Sequence, residues 1–221
     1  MGWCARFMAD GSIYGANYEQ LDSLRQEMVA SIEQLRSRIC EETAFDPVDH
    51  CLSRIKAENS MREKCRRGNL PESCRSALVD IHDAIGIRVV CAFRSDVMVV
   101  RDHLASMPGY EVIEEKDYIR NAKPNGYRSY HMILRTNDGR APVGCDPLSP
   151  DDEPAQGFYV EVQLRTISMD TWAALEHHLK YKKQAPANER LIVAELKRCA
   201  DELASTDLSM QALRDLILED K

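Results

Sequence analysis

Glu161, Gln163 and Arg165 stand at every second position of the segment Phe158–Thr166, FYVEVQLRT. Side chains alternate across a β-strand, so these three share one face and Val160, Val162 and Leu164 share the other. A carboxylate, an amide and a guanidinium in one row can serve as a base, a hydrogen-bonding selector and an anion clamp. An ordinary amphipathic strand gives the same alternation, so the row gains meaning only from its company. Three further clusters supply that company. Ser53–Lys56, SRIK, is followed by a basic run with Arg62, Lys64, Arg66 and Arg67. On a strand Arg54 and Lys56 share a face, and the cluster is either a solvated basic surface or a polyphosphate site. His82-Asp83 lies directly before the apolar run IGIRVVCAF. Asp83 is either a turn residue or a ligand for Mg²⁺, which takes few protein carboxylates and fills its shell with phosphate oxygens. KPNGYRSYH, Lys123–His131, places Tyr127, Ser129 and His131 on one face if extended. Tyr127 either offers its ring to a stacked base or is a half-buried, hydrogen-bonded tyrosine.

The elements that must position these groups follow from periodicity. Residues 14–43 carry Leu21, Leu24, Met28, Ile32, Leu35 and Ile39 at spacings of three and four, the stripe of an amphipathic helix. Val48–Lys56 reads as a short strand. Asn59 or Ser60 is expected to cap the basic helix, which Gly68 ends. Ile85–Phe93 is β-branched and reads as a central strand. Ser95 is expected to cap a helix burying Val99, Leu104 and Met107. Tyr110–Asp117 and Tyr127–Thr136 are two more strands around the turn RNAKPNG. Residues 137–157 read as an exposed loop. After the FYVEVQLRT strand comes a helix over about 167–182, with Met169, Trp172, Leu175 and Leu179 as its apolar stripe and a Glu176–Lys180 pair on its surface. Helix resumes over about 187–219. The fold class is α+β, a mixed five-stranded sheet flanked by helices. Residues 1–45 are expected to form an N-terminal helical extension, 46–185 the central domain, and 186–221 C-terminal helices.

Composition narrows the function. With 221 residues, 44% hydrophobic and 29% charged, the chain buries a real core and is not disordered. A net charge of −7 gives no general attraction to nucleic acid, although local basic patches can hold compact anions. No apolar run reaches membrane-spanning length and the N-terminus lacks a signal-peptide core. Arg6 stands where a myristoylation signal needs Ser or Thr. The eight cysteines form no C-x-x-C pair, which argues against zinc; they read as reduced thiols of a cytoplasmic protein. Neither a P-loop nor G-x-G-x-x-G is present, so any nucleotide is held by other means.

In their order, SRIK…S-M-x-x-K, HDAIGIRVVCAF, KDYIRNAKPNGYRSYH and VEVQLRTISMDTWAALEHHLKYK resemble the synthetase domain of the RelA/SpoT family over about Val48–Lys183. The length is similar to that of the small alarmone synthetases of the family. The resemblance implies a nucleotidyltransferase-like sheet and a homotetramer built by the terminal helices. It implies transfer of pyrophosphate from ATP to the ribose 3′-hydroxyl of GDP or GTP, with GMP left open as a further acceptor and Mg²⁺ as cofactor. By matching motif position, Glu161 is implied as base and metal-side carboxylate, and Asp83 as metal ligand. Arg54 and Arg88 are implied to sandwich adenine, a task for planar guanidiniums. Lys56 and Lys64 are implied to contact ATP phosphates, and Tyr127 to stack on guanine. Lys123, Asn125, His131, Gln163 and Asp170 match acceptor-nucleotide positions. Arg128 is a further candidate cation. Where the family commonly reads D-I-A-G, this chain has Asp83-Ala84-Ile85-Gly86, and the 137–157 loop is longer than usual. No second His-Asp pair of the kind that marks the family's hydrolase domain is present. Two other readings use the same fold: a toxin-type relative that modifies the tRNA 3′ end, which the acidic charge disfavours, and a non-catalytic nucleotide-binding regulator, which the two carboxylates disfavour.

Overall fold

The computed structural model describes residues 11–43, 45–145, 154–181 and 188–219, with the side chains of 180 and 181 outside the description. Five strands form one sheet in the order β1-β2-β5-β4-β3. They are β1 (Val48–Ile55), β2 (Ile85–Cys91), β3 (Tyr110–Asp117), β4 (Tyr130–Thr136) and β5 (Tyr159–Thr166). β2 and β5 run parallel and the other neighbours antiparallel. The mixed sheet expected from the short turns is therefore present.

The helices are α1 (Tyr18–Thr43), α2 (Glu58–Arg67), α3 (Arg94–Ala105), α4 (Ile167–Tyr181) and α5 (Glu189–Glu219). Leu21, Leu24, Met28, Ile32 and Leu35 of α1 are buried. They join Ile85, Ile87 and Val89 of β2 and Val160, Val162 and Leu164 of β5 in one core. Each such side chain stabilises the fold by about 1.5–3 kcal/mol. With one face of β5 committed to this core, period two sends Glu161, Gln163 and Arg165 to the other.

Several local expectations are corrected. The start of α2 carries no side-chain cap: the chain turns from β1 through Ala57 straight into Glu58, which leaves Asn59 and Ser60 inside the first turn. Gly68 does follow the last helical residue, but with φ −86°; the left-handed residue is Asn69, at φ 54°. α3 begins at Arg94, so Ser95 lies within it, and the Asp96 carboxylate accepts the Phe93 N–H at 3.1 Å. That start sets the buried stripe at Val97, Val100 and Leu104 and leaves Val99 exposed. β4 starts at Tyr130 because the chain before it is held by the turn, through Lys123 N–H to Tyr127 C=O at 3.1 Å. Along α4, Met169 and Trp172 are buried but Leu175 and Leu179 are exposed. The expected Glu176–Lys180 pair falls on a side chain outside the described residues.

The 137–157 segment is not wholly an exposed loop. Cys145 is buried and bonded to Cys74, so these two are not free thiols as the cysteine pattern suggested. Asn17 secures the same stretch, donating from Nδ2 to the Val143 carbonyl at 3.0 Å and accepting the Val143 N–H at 2.8 Å. Residues 146–153 of the segment lie outside the described residues. Among the described residues, no helix is long and apolar enough to cross a membrane.

Candidate active site

Strand register builds the floor of the site in two rows. Arg54, Gly86, Glu161 and Ile133 lie side by side across β1, β2, β5 and β4. The next row is Leu52, Arg88, Gln163, His131 and, on β3, Lys116. A cavity of about 160 Å³ opens over the first strands, lined by Ser53, Arg54, Gly86, Arg88, Glu161 and Gln163 among others. Gly86 matters here because it puts no side chain between Arg54 and Glu161. Two guanidiniums and a carboxylate thus share a concave wall, which suits a planar ring flanked by a polar tail.

Asp83 stands just before β2, three residues ahead of Gly86, whose partner across the ladder is Glu161. Its Oδ2 accepts from Lys64 Nζ at 2.6 Å and faces Lys56 Nζ at 3.1 Å. The sequence placed these lysines beside phosphates; the structure ties both to the carboxylate next door. Oδ1 of Asp83 is buried and has no hydrogen-bond partner. A buried carboxylate oxygen without a partner is costly and is an available lone pair for a hard cation. Among the described residues no group of three His, Cys, Asp or Glu side chains can enclose a metal. That free carboxylate oxygen fits Mg²⁺, which needs only one or two carboxylates when phosphates complete its shell.

A second cluster flanks Glu161 on the β4 side. His131 Nδ1 lies 3.7 Å from Glu161 Oε1, and Nε2 is 2.8 Å from the Tyr127 hydroxyl. Burial, with Arg165, Lys123 and Lys116 nearby, pushes the His131 pKa down to about 4, so the ring is neutral at pH 7. Tyr127 is half-buried and hydrogen-bonded, and its ring also meets Tyr118, His131 and Trp172 at centroid distances of 6.2, 5.8 and 6.4 Å. Lys123 Nζ lies 4.6 Å from the Tyr118 ring centroid and 5.0 Å from that of Tyr127, within cation–π range. Asn125 accepts the Tyr127 N–H at 3.2 Å and donates to Glu176 at 3.2 Å. Asp170 accepts from Arg165 Nη1 at 2.9 Å and lies 3.4 Å from Arg88 Nη1.

The turn that carries Tyr127 is backed by α5. Gly126 has φ +94°, and a Cβ there would lie 2.6 Å from Ala200 Cβ. Trp172 Nε1 donates to the Leu196 carbonyl at 2.8 Å. Arg128 pairs with Asp201 of α5 at 2.9 Å, so it braces the turn and is not among the cations facing the cavity.

The structure thus brings Arg54, Arg88, Glu161 and Gln163 to one cavity, Lys56 and Lys64 to Asp83, and Lys123, Asn125, Tyr127, His131 and Asp170 to the adjoining cluster. Two participants were missed or misread. Tyr118 closes the aromatic cluster; the signal was a pair of tyrosines on either side of the KPNG turn. Arg165, read as an anion clamp, is buried with both terminal nitrogens engaged by neighbours.

Comparison with known proteins covers most of the chain. The family described as "Region found in RelA / SpoT proteins" matches residues 53–186. GTP pyrophosphokinase YjbM of Bacillus subtilis (strain 168) is 28% identical over 198 residues, 88% of this chain and 85% of that protein. GTP pyrophosphokinase YwaC of the same organism is 34% identical over 156 residues, 71% of this chain and 69% of that protein. The crystal structure of the small alarmone synthetase 1 from Bacillus subtilis bound to its product pppGpp aligns with a TM-score of 0.72 at 26% identity, over 90% of this chain and 94% of the other. The small alarmone synthetase 2 from Bacillus subtilis aligns with a TM-score of 0.67 at 29% identity, over 90% and 98%. The matched region spans the SRIK segment, Asp83, the KPNG turn and the Glu161 row, and on that ground the chain belongs to the RelA/SpoT family.

Proposed function

We propose that the chain is a GTP pyrophosphokinase of the small alarmone synthetase kind, transferring pyrophosphate from ATP to the ribose 3′-hydroxyl of GDP or GTP and releasing AMP. The observation that carries the reading is the position of Glu161: it lies between a cavity walled by Arg54 and Arg88 and a cluster holding His131, Tyr127 and Lys123. A carboxylate between a donor site and an acceptor site is where a proton must be taken.

The reaction brings two polyanions together. At ~4 Å and an effective dielectric near 20, each pair of unit charges repels by about 4 kcal/mol. Lys56, Lys64, Arg54 and Arg88 supply positive charge on the donor side, despite the acidic total. Glu161 removes the 3′-hydroxyl proton as the oxygen attacks the β-phosphorus of ATP. The new O–P bond forms as the bond from that phosphorus to the α–β bridging oxygen breaks, and AMP leaves with that electron pair. Asp83 and Glu161 would hold Mg²⁺, which when bound supplies charge neutralisation at the triphosphate. Gln163, Asn125 and Asp170 offer acceptors and donors for the guanine nucleotide, and the Tyr127 ring a stacking surface.

The test is one incubation series: purified chain and ATP with GMP, GDP or GTP, followed by nucleotide chromatography. Equal amounts of AMP and a guanine nucleotide carrying two added phosphates are expected with GDP or GTP. AMP release without that product, or none at all, would refute the reading. The same series decides among the acceptors. Size measurement in solution tests the expected tetramer, and magnesium titration the cofactor.

A further inference from the structure

We infer that Arg165 is a positioning residue for the acceptor nucleotide, setting the separation of three side chains that no single element holds together. The inference rests on the proposed guanine-nucleotide reading of that cluster. Arg165 is 5% exposed. Nη1 donates to Asp170 Oδ1 on α4 at 2.9 Å. Nη2 donates to the Tyr127 hydroxyl, from the turn before β4, at 2.9 Å, and to Gln163 Oε1 on β5 at 2.9 Å. Its carbon Cζ lies 5.3 Å from the Tyr127 ring centroid.

A guanidinium is rigid and planar, so its two terminal nitrogens fix a distance between whatever they hold; an ammonium is a point and fixes none. The influence extends beyond these partners. Tyr127, held at its hydroxyl, meets His131 Nε2 at 2.8 Å, and His131 faces Glu161 across 3.7 Å. Asp170, held on one side, also lies 3.4 Å from Arg88 on the donor wall. One side chain therefore sets acceptor-side groups in place relative to the carboxylate and to the donor cavity. Stability alone does not account for it. A buried Arg–Asp pair is often no better for folding than apolar residues of the same volume, and the Arg165 Nε remains without a partner.

Arg165→Lys is the first variant. It retains a cation for Asp170 and loses the fork. GDP affinity by calorimetry, affinity for a non-hydrolysable ATP analogue, and Tm are measured together. GDP binding should weaken by about tenfold or more, the loss of one or two charge-assisted hydrogen bonds, while analogue binding changes by less than about threefold and Tm is nearly kept. Adding Tyr127→Phe should then weaken GDP binding by less than about twofold further, because the two act as a unit. Arg165→Lys with wild-type GDP affinity, or full additivity with Tyr127→Phe, overturns the inference. If the lysine variant fails to fold, Arg165→Gln, which is neutral and loses the fork, is judged by the same ratio. Wild-type chain that binds GDP but releases no AMP from ATP counts against the proposed reaction alone, since the affinity ratio still decides the role of Arg165. Wild-type chain that binds no GDP overturns both.

Discussion

Gly126→Ala separates two costs that the structure places at one position. The backbone there has φ +94°, and an added Cβ would lie 2.6 Å from Ala200 Cβ and 3.0 Å from Lys197 Cα. Holding a residue with a Cβ in such a sparsely populated region costs about 1–3 kcal/mol. Forcing a methyl against a packed helix costs about 1–3 kcal/mol more. The sum, about 2–6 kcal/mol, is a large part of the total stability of a domain, about 5–15 kcal/mol. Denaturant unfolding of four proteins measures the parts: wild type, Gly126→Ala, Ala200→Gly and the double variant. Ala200→Gly alone should cost about 1 kcal/mol as a helix-interior glycine. In the double variant the steric share due to the Ala200 methyl should be recovered, a coupling of about 1–3 kcal/mol, while the backbone share and the contact with Lys197 Cα stay. Strict additivity, or a loss under about 1 kcal/mol for Gly126→Ala, would refute the claim that α5 forms the back wall of the acceptor turn.

Glu161→Gln should lower turnover by about 10²–10⁴ with the fold intact; unchanged turnover in steady-state assay would remove Glu161 from the mechanism. Gly86→Ala should raise the KM for ATP about tenfold or more, the scale of one extra methyl in a fitted pocket, with Tm kept because a Cβ at 86 meets only Arg54, at 3.9 Å. Unfolding midpoints should fall as pH drops below the ordinary histidine value of 6.5, since burial lowers the pKa of His82, His103 and His131. The unfolded chain then binds more protons than the folded one, so stability is lost on acidification and, for His131, the loss ends near pH 4. A flat profile between pH 7 and 5 would contradict this; His103→Gln, at the contact with Ser31, should shallow the slope.

Element types and order were legible wherever the apolar period was long. α1 showed its stripe over its first five apolar positions, and β5 its alternation, because burial on one face dictates both. Ends and caps were not. Ser95 and Asn59 have capping chemistry, but where each helix begins was decided by how the preceding strand leaves the sheet. The same limit explains Leu175 and Leu179: helical spacing says which residues share a face, not how much of that face is covered. In the site, Glu161 and Gln163 were readable from strand parity, and Arg88 only from its place in a matched motif. Arg165 had the same parity, yet its burial depends on α4 and the KPNG turn folding over it, which no local pattern encodes. Nor does any spacing rule pair Cys74 with Cys145 across 71 positions.

That bond divides the chain topologically. Everything from Cys74 to Cys145 forms one covalent ring, with β2, β3 and β4, and so Asp83, Arg88, Tyr127 and His131, inside it. β5 lies outside the ring, yet in the finished sheet it sits between β2 and β4. The ring therefore holds both edges of a slot, and the strand carrying Glu161 enters it as a guest. In a chain-entropy account a ring of this size limits the unfolded ensemble by about 4 kcal/mol. None of that constraint acts on the guest strand, whose seating depends on the β2 and β4 ladders alone.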